Sequence, residues 1–364
     1  MITLISPEDK CEISLLSSIQ KEFINKSLEL TPDEARSVKG RPYRWLGEEL
    51  NDDQSSDMPA SVIIKWKNTE PLQKTRFYLS IDPDFTVTEH IATVSPIHYS
   101  ACEDLFFVIV NNLLSGYTYY FKVSAGDEVS ETRSFSTVYG EFRTIRADGV
   151  GNVRDLGGRI NSNGIRIKEG LIYRGGMLNN LVKPRCSAYN GLAVMRDDLH
   201  IKTDIDLRWE AIGKYEFCQL GDHINYNLFP ISDYASLVTR DSGVYGDLVP
   251  NDQSAYFTKI FDILADENSY PIYIHCVAGA DRTGCVCALL DAILGMKDED
   301  IILNYNLTSL DSVRCWYTNA VELINKLDEA FPGLTLREQL LKAAEGLGIT
   351  EETMDRIRGN LLET

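Results

Sequence analysis

Residues 271–284 have the sequence PIYIHCVAGADRTG, and this order of apolar, small and charged residues predicts a strand, a loop and a helix. Residues 272–274 are apolar and partly β-branched, which is typical of a buried strand. From Thr283 onward, apolar residues recur with helical spacing. The loop between these segments carries Cys276 at one end and Arg282 at the other. The pattern therefore predicts an α/β fold in which this loop joins a central strand to a helix.

The spacing of Cys276 and Arg282 indicates a phosphate site. A loop that leads into a helix directs several backbone N–H groups, and the positive end of the helix dipole, into one concavity. A thiol in that field is readily ionised, because a helix N-terminus and a cationic neighbour lower a cysteine pKa from about 8.5. The Arg282 guanidinium offers paired donors to phosphate oxygens. We therefore expect the Cys276 thiolate to attack phosphorus, and water to hydrolyse the resulting thiophosphoryl enzyme.

Residues 275–284, HCVAGADRTG, resemble the phosphate-binding loop of the protein tyrosine phosphatase superfamily. The resemblance implies that Cys276 is the nucleophile, that Arg282 binds the phosphate and that the hydroxyl of Thr283 assists departure of the thiolate. It also implies that His275 orients the loop and helps to keep the thiol ionised. The residues expected to surround the phosphate are Val277, Ala278, Gly279, Ala280, Asp281 and Arg282.

A second motif precedes the loop. NVRDLGG, at residues 152–158, resembles an element of an atypical bacterial phosphatase family related to the tyrosine phosphatases. Members of that family act on phosphoproteins and, in some cases, on phosphoinositides. The resemblance implies that Asn152, Arg154 and Asp155 support the phosphate loop from behind, the alternative being an ordinary salt bridge at a turn.

Two further segments, residues 171–178 and 203–208, resemble the next elements of the same family and occur in the family's order. The likeness covers residues 148–364. For Arg174, within the first of these segments, support of the loop and an ordinary salt bridge at a turn are equal alternatives.

The chain has 364 residues, which predicts two domains. Residues 1–145 contain short runs rich in β-branched and aromatic residues, separated by turn signals, at 61–66, 75–81, 105–110 and 117–123. They predict an all-β sandwich without a long helix. Residues 113–123 resemble the tyrosine-corner turn and strand of fibronectin type III-like domains, and residues 142–144 resemble their closing strand. We expect a packing or targeting module that offers a surface to a protein partner.

Residues 146–364 predict the catalytic domain. Helical and strand patterns alternate, and such alternation predicts a mainly parallel sheet flanked by helices. Strands are predicted at 201–207, 224–231 and 271–275, and helices at 186–199, 253–266 and 283–295. The last part of the chain predicts a helical C-terminus, with helices at 298–307, 311–330, 335–347 and 351–362.

The leaving oxygen of a phosphate ester needs a proton, so the chain should supply a general acid. Asp233 follows a predicted strand and precedes a glycine-containing segment, residues 238–250, which suits a movable acid loop. Asp281 lies within the phosphate loop beside Arg282. We favour Asp281, and the alternative for Asp233 is a turn or helix cap.

The substrate is open between two classes. Members of the atypical family that act on phosphoinositides usually carry a lysine directly after the loop glycine, where this chain has Ala280. We therefore expect phosphotyrosine or another monophosphate ester, with a phosphoinositide or inositol polyphosphate as the alternative. The alternative from a different functional class is a binding module or adaptor that recognises phosphate esters without hydrolysing them.

The composition is acidic, with 36 Lys and Arg against 54 Asp and Glu and a formal net charge of −18. This charge argues against a general nucleic-acid or anionic-membrane binder. We predict no cofactor, no metal and no membrane span. Eight irregularly spaced cysteines and the absence of a signal-peptide pattern favour a cytoplasmic protein, although an extracytoplasmic protein with a trimmed leader is the alternative.

Overall fold

The computed structural model of the protein describes residues 1–29, 59–69, 74–87, 92–180, 190–214, 217–232, 237, 252–310 and 320–364. Within these residues a sheet-rich N-terminal unit is followed by an α/β unit with a helical C-terminus. Asp233, the segment 238–250 and parts of the helices predicted at 186–199 and 311–330 lie outside the described residues. No helix in the described ranges is long and apolar enough to cross a membrane.

The described part of the N-terminal unit forms two sheets of five strands. Strands β1 to β10 are, in chain order, Thr3–Ser6, Cys11–Ile13, Val62–Lys67, Thr75–Ser80, Thr93–Val94, His98–Ser100, Leu105–Asn111, Thr118–Ala125, Glu128–Val129 and Arg133–Thr137. One sheet has the order β1-β3-β7-β5, with β6 also paired to β7. The other has the order β2-β10-β8-β4, with β9 also paired to β8. The pairing is antiparallel except between β2 and β10.

The two sheets share one apolar core because their strands alternate inward and outward side chains. Every second residue of β3 is buried, and Trp66 lies between the rings of Phe77 and Phe106 with centroid distances of 6.2 Å to each. Four predicted strands are confirmed as β3, β4, β7 and β8. The remaining strands were not predicted, because most are only two to five residues long and carry too little periodicity to detect.

Helix α1, Ser18–Glu29, contradicts the prediction of an all-β N-terminal unit. A helix of this length is marginal in isolation, so its stability must come from packing. Phe23 is fully buried against Leu303, Leu307 and Leu310 of the α/β unit. The sequence pattern therefore missed α1 because its apolar partners lie far away in the chain.

The described α/β unit is built on a six-stranded sheet with the order β11-β12-β13-β16-β14-β15. Its strands β11 to β16 are Arg143–Thr144, Arg154–Asp155, Ile172–Gly175, Thr203–Asp206, Asn225–Leu228 and Ile272–His275. The four strands β13, β16, β14 and β15 are parallel, whereas β11 and β12 are antiparallel to their neighbours. The predicted mainly parallel sheet is thus confirmed, and β16 lies between β13 and β14.

Strand β11 corrects the prediction that residues 142–144 close the N-terminal sandwich. Arg143 pairs with Asp155 and Thr144 with Arg154, so both belong to the sheet of the α/β unit. A strand of two residues has no periodicity from which its partner could be predicted. Arg143 and Asp155, which lie opposite each other on β11 and β12, also form a buried ion pair.

Helices pack around this sheet. Within the described residues they are α2 to α7, which span Ser254–Leu264, Asp281–Ile293, Asp298–Asn306, Ala320–Ala330, Leu336–Gly346 and Glu351–Leu361. A shorter helical segment covers Gly191–Ala193 and Val194–Asp198. The helices predicted at 253–266, 283–295, 298–307, 335–347 and 351–362 are confirmed as α2, α3, α4, α6 and α7. Helix α3 is buried from Arg282 to its end, which makes it the central helix of the unit.

Candidate active site

The loop that begins at Cys276 lies at the carboxyl end of the central strand β16 and leads into helix α3 at Asp281. All four residues of β16 are buried, because neighbouring strands and helices cover both faces. Ligands of α/β sheets bind at this end of the strands. The predicted order of strand, loop and helix is therefore confirmed, and it places the Cys276 loop at the position expected of a ligand site.

Three consecutive carbonyl groups of the loop point away from its centre. The backbone N–H of Met177 donates to the carbonyl of Val277 at 3.0 Å. The Asn152 side-chain amide donates to the carbonyls of Ala278 and Gly279 at 3.0 and 3.1 Å. In a trans peptide unit the carbonyl and the next N–H point in opposite directions. The N–H groups of residues 278–280 therefore face the concave side of the loop, where they can bind an anion.

A second donor holds the same part of the loop. Nη2 of the fully buried Arg174 donates to the carbonyl of Gly279 at 2.6 Å. Nε and Nη1 of Arg174 have no hydrogen-bond partner among the described residues. Arg174 therefore supports the loop from behind, which is one of the two alternatives for it, and it does not form a turn salt bridge within the described part of the chain.

Gly279 has no room for a side chain. Its φ of +67° lies in the left-handed region, and a Cβ atom would lie 2.3 Å from the backbone of Gly175. A Cβ atom on Gly175 would in turn lie 2.4 Å from the hydroxyl of Tyr273. Glycine at position 279 lets the loop pass directly over Gly175 of β13, which brings the Gly279 carbonyl within reach of Arg174.

The environment of Cys276 favours the thiolate. Burial alone would raise the pKa of this thiol, but the charge of Arg282 and the hydroxyl and backbone N–H of Thr283 outweigh burial and lower the pKa. The buried Thr283 hydroxyl has no other hydrogen-bond partner in the described ranges. The negative charge of Asp281 acts in the opposite direction. A thiol held in this way is a nucleophile near neutral pH.

Arg282 is bound by Glu210, a residue that was not identified from the sequence. Nη1 and Nη2 of Arg282 donate to the two carboxylate oxygens of Glu210 at 2.8 and 3.1 Å. Burial raises the pKa of Glu210, but the hydrogen bonds and charge of Arg282 lower it overall. The ion pair fixes the plane of the guanidinium at the loop. The sequence feature that could have indicated Glu210 is its position soon after a buried strand, at the end of the sequence DIDLRWE.

His275 is charged, because two buried carboxylates face it. Burial lowers the pKa of His275, but Asp204 and Asp206 on β14 raise it to about 9. Nε2 lies 3.1 Å from a carboxylate oxygen of Asp204, and Nδ1 donates to the carbonyl of Cys276 at 3.0 Å. The proposed orienting role of His275 therefore has a geometric basis. Asp204 and Asp206 were not identified from the sequence, although acidic residues in a buried strand require partners.

Asn152 and Arg154 lie together behind the loop, whereas Asp155 faces Arg143 on the other side of β12 and, within the described residues, makes no hydrogen bond to the loop. Asn152 has a φ of +61°, and its side-chain oxygen accepts a hydrogen bond from Nη1 of Arg154. Nη2 of Arg154 donates to the carbonyl of Asn304 at 3.0 Å and to the hydroxyl of Thr308 at 3.2 Å. Asp155 accepts the N–H of Gly157 at 2.8 Å. Asn152 thus contacts the phosphate loop directly, and Arg154 fixes Asn152.

Four of the other predicted residues belong to the loop or its helix. Asp281 is half-buried at the first position of α3, whereas Thr283 and Ala280 are buried. Val277 is 38% exposed, so it presents an apolar side chain to solvent at the mouth of the loop. Asp233, the other candidate acid, lies outside the described residues. No cluster of three or more His, Cys, Asp or Glu residues that could hold a metal ion occurs in the part of the chain that the structure describes.

Residues 145–363, more than half of the chain, match the model of the Tyrosine phosphatase family. The chain belongs to this family, and it is a phosphatase enzyme. Among curated proteins it is similar to a Cupriavidus necator protein named "Putative tyrosine-protein phosphatase", with 25% identity over 201 residues that cover 50% of this chain and 69% of the relative.

Two solved structures show lower similarity. The core catalytic domain of the PP-IP phosphatase SIW14 from S. cerevisiae, in complex with citrate, has 18% identity and a TM-score of 0.28, covering 46% of this chain and 94% of that one. TpbA of P. aeruginosa has 15% identity and a TM-score of 0.30, covering 50% of this chain and 90% of that one.

Proposed function

We propose that the protein is a phosphoric monoester hydrolase that acts through a Cys276 thiophosphoryl intermediate, with phosphotyrosine as its substrate class. The observation that carries this proposal is the conformation of the loop. The carbonyl groups of residues 277–279 point outward, so the N–H groups that follow them point into the loop, toward Cys276. The charge of Arg282 lowers the pKa of this cysteine. Such a ring of donors stabilises the charge of a phosphoryl group in transfer without further rearrangement.

The reaction begins when the phosphate binds the loop N–H groups and Arg282. The Glu210 pair uses the Nη1 and Nη2 edge of the guanidinium, so the phosphate would be bound through the Nε edge. The Cys276 sulfur attacks phosphorus, the bond from phosphorus to the ester oxygen breaks, and Asp281 gives its proton to that oxygen. Water then attacks phosphorus and returns a proton to Asp281. The sulfur–phosphorus bond breaks, and inorganic phosphate leaves the regenerated thiolate.

The side chains of the loop favour a monophosphate ester of an aromatic alcohol. Ala280 supplies no cation for a second phosphate group, and Val277 presents an apolar surface at the mouth. An aromatic ring can pack against such a side chain, whereas the phosphate groups of a polyphosphorylated inositol ring would gain nothing from it. A phosphoinositide or inositol polyphosphate remains the alternative substrate, and it forms an arm of the test.

We further propose that the N-terminal unit is a fibronectin type III-like sandwich over residues 1–145, before a catalytic domain over 146–364, apart from β11 and α1, which contact the catalytic domain. Two contacts support the proposal. The hydroxyl of Tyr119 accepts the backbone N–H of Leu114 at 2.7 Å, as in a tyrosine corner, and Trp66 is fully buried in the core. We also propose a cytoplasmic location, because the six described cysteines are all free thiols.

The test is phosphate release from phosphotyrosine peptides, phosphoserine peptides and phosphoinositides by wild type, Cys276→Ser and Cys102→Ser. We expect release from phosphotyrosine peptides by wild type and by Cys102→Ser, whose thiol is exposed and far from the loop in sequence. Cys276→Ser should release none. If phosphate is released preferentially from phosphoinositides, the substrate class is phosphoinositides and not phosphotyrosine. Absence of release from all three substrates, or full activity of Cys276→Ser, would overturn the mechanism.

A further inference from the structure

The turn between β7 and β8, residues 112–117, contacts the α/β unit through several hydrogen bonds. Arg166 donates to the carbonyl of Ser115 at 2.6 Å, and Glu169 accepts the N–H of Ser115 at 3.1 Å. The side chain of Asn112 accepts the N–H of Arg146 at 2.7 Å and donates to its carbonyl at 3.1 Å. Buried polar groups on both sides are therefore paired across the contact, which fixes the position of the turn.

Arg143 connects this turn to the strand behind the phosphate loop. Its Nε donates to the carbonyl of Leu113 at 2.9 Å, and its Nη2 donates to the carbonyl of Asn112 at 2.7 Å. Nη1 donates to Asp155 at 2.7 Å and to the hydroxyl of Tyr173 at 3.3 Å. Arg143 is 3% exposed, and the side chain of Asp155 is fully buried. One guanidinium thus holds two groups of the turn and two groups of the catalytic sheet.

Strand β12 links that guanidinium to the phosphate loop. Adjacent residues of a strand point to opposite faces, so Asp155 faces Arg143 while Arg154 faces the other way. Arg154 donates to Asn152, and Asn152 donates to the carbonyls of Ala278 and Gly279. Hydrogen bonds on the two faces of β12, joined through its backbone, therefore connect the turn of the N-terminal unit to the loop carbonyls.

Helix α1 forms a second connection to the same residues. Nε2 of Gln20 donates to the hydroxyl of Thr144 in β11 at 3.0 Å, directly beside Arg143. Phe23 is buried against Leu303 and Leu307, which flank Asn304, whose carbonyl accepts a hydrogen bond from Arg154. The N-terminal unit thus contacts β11, the strand paired with β12, and packs against the end of α4, whose Asn304 carbonyl accepts a hydrogen bond from Arg154.

We infer that the N-terminal unit is a structural part of the phosphatase site, in which Arg143 and Phe23 are positioning residues that keep the phosphate loop in its anion-binding conformation. This inference rests on the proposed function, because it concerns the same loop. It differs from the expectation of a separate packing or targeting module. It requires that a change at Arg143 or Phe23, where the two units meet, weaken anion binding at the loop more than it disturbs the fold.

The test compares Arg143→Lys and Phe23→Ala with Val123→Ala in the full chain. Lysine keeps the charge of Arg143 but cannot reach the turn and Asp155 together, and Phe23→Leu is a milder second variant should Phe23→Ala fail to fold. Val123 is fully buried in β8, so its truncation destabilises the same unit without touching the turn or α1. Each variant is measured well below its own Tm.

Three quantities are measured: the Tm, the Kd for orthovanadate, and the pH midpoint of Cys276 alkylation by iodoacetamide. We expect the Arg143 and Phe23 variants to bind orthovanadate about fivefold to tenfold more weakly and to be alkylated with a higher midpoint. Val123→Ala should lower Tm and leave the other two quantities unchanged. The inference is overturned if the Arg143 and Phe23 variants lower Tm alone, or if Val123→Ala weakens orthovanadate binding equally.

The failure of this inference and the failure of the proposed function give different results. Orthovanadate binding and alkylation report the loop and its thiol without substrate turnover. If the wild-type protein binds orthovanadate but releases phosphate from no substrate, the proposed function fails and the inference stands. If the wild-type protein hydrolyses phosphotyrosine but the Arg143 and Phe23 variants behave like Val123→Ala, the inference fails and the proposed function stands.

Discussion

Glu210 and Arg282 form a two-point ion pair, 2.8 and 3.1 Å long, at the phosphate loop. The Arg282 side chain is 9% exposed and that of Glu210 is 31% exposed, so the pair is partly shielded from water. A planar guanidinium held at two points has a fixed orientation. In the proposed mechanism Glu210 therefore acts on the substrate through Arg282, as a positioning residue.

Glu210→Gln tests this role. The amide keeps the shape of the carboxylate but loses its charge, so Arg282 should be held less firmly. We expect kcat/KM for a phosphotyrosine peptide to fall about tenfold to a hundredfold, because hydrogen bonds to charged groups contribute roughly 1.5–3 kcal/mol. The midpoint of Cys276 alkylation should not rise, because the variant removes a negative charge from the surroundings of Arg282. A raised midpoint together with unchanged kcat/KM would contradict the positioning role.

The charge of His275 predicts how stability depends on pH. Its pKa is about 9 in the folded protein, against about 6.5 for an unperturbed histidine. The raised pKa gives stability that is fully present below pH about 6.5 and is lost as the pH rises through about 9. This difference between the two pKa values corresponds to roughly 3 kcal/mol in the free energy of unfolding. Cys276, whose pKa is lowered, contributes with the opposite sign at alkaline pH, so the effect of His275 must be isolated by comparison.

The measurement is urea unfolding of wild type and His275→Asn between pH 6 and 10. The variant should be less stable at pH 6, because Asp204 and Asp206 lose their buried counter-charge. The stability difference between the two proteins should shrink as the pH rises toward 9. A difference that stays constant across this range would show that His275 is uncharged in the folded protein.

The parts of the site that the sequence could predict are those encoded locally. Cys276 and Arg282 are six positions apart, and the strand and helix beside them have clear periodicity. Glu210 lies 72 positions from Arg282, and no local pattern indicates that the two residues meet. The same reason explains why α1 was missed and why β11 was assigned to the wrong sheet, because distant contacts at Phe23 and Arg143 stabilise them. Local sequence thus predicted the loop with its strand and helix, whereas the residues that contact the loop from elsewhere in the chain depend on tertiary structure.

Gly279→Ala should disable the loop while the fold persists. The new Cβ atom would lie 2.3 Å from the backbone of Gly175, so the loop must move away from β13. A displacement of about 1 Å in a catalytic group can cost about a hundredfold in rate, and we expect a loss of at least that size in kcat/KM. The measurement is phosphotyrosine hydrolysis, with Tm recorded for each protein.

Gly164→Ala is the matched control for Gly279→Ala. Gly164 has a φ of +79°, and no atom lies within 4 Å of the position that a Cβ atom would occupy, so alanine there carries the backbone strain without the clash. It should lower Tm slightly and leave kcat/KM unchanged. Equal losses of activity in the two variants would mean that the close approach of Gly279 to Gly175 has no role in catalysis.

Asp281→Asn tests the general acid through the leaving group. We expect its kcat for phenyl phosphate to fall about a hundredfold, the lower end of the usual contribution of a general acid, because the phenolate must then leave without a proton. For p-nitrophenyl phosphate, whose leaving group needs little protonation, the loss should be below about tenfold. The charge of Asp281 raises the pKa of Cys276, so its removal favours the thiolate, and loss of the nucleophile cannot explain a slower reaction. If Asp233→Asn shows this dependence on the leaving group and Asp281→Asn does not, Asp233 is the acid and Asp281 only modulates the thiol.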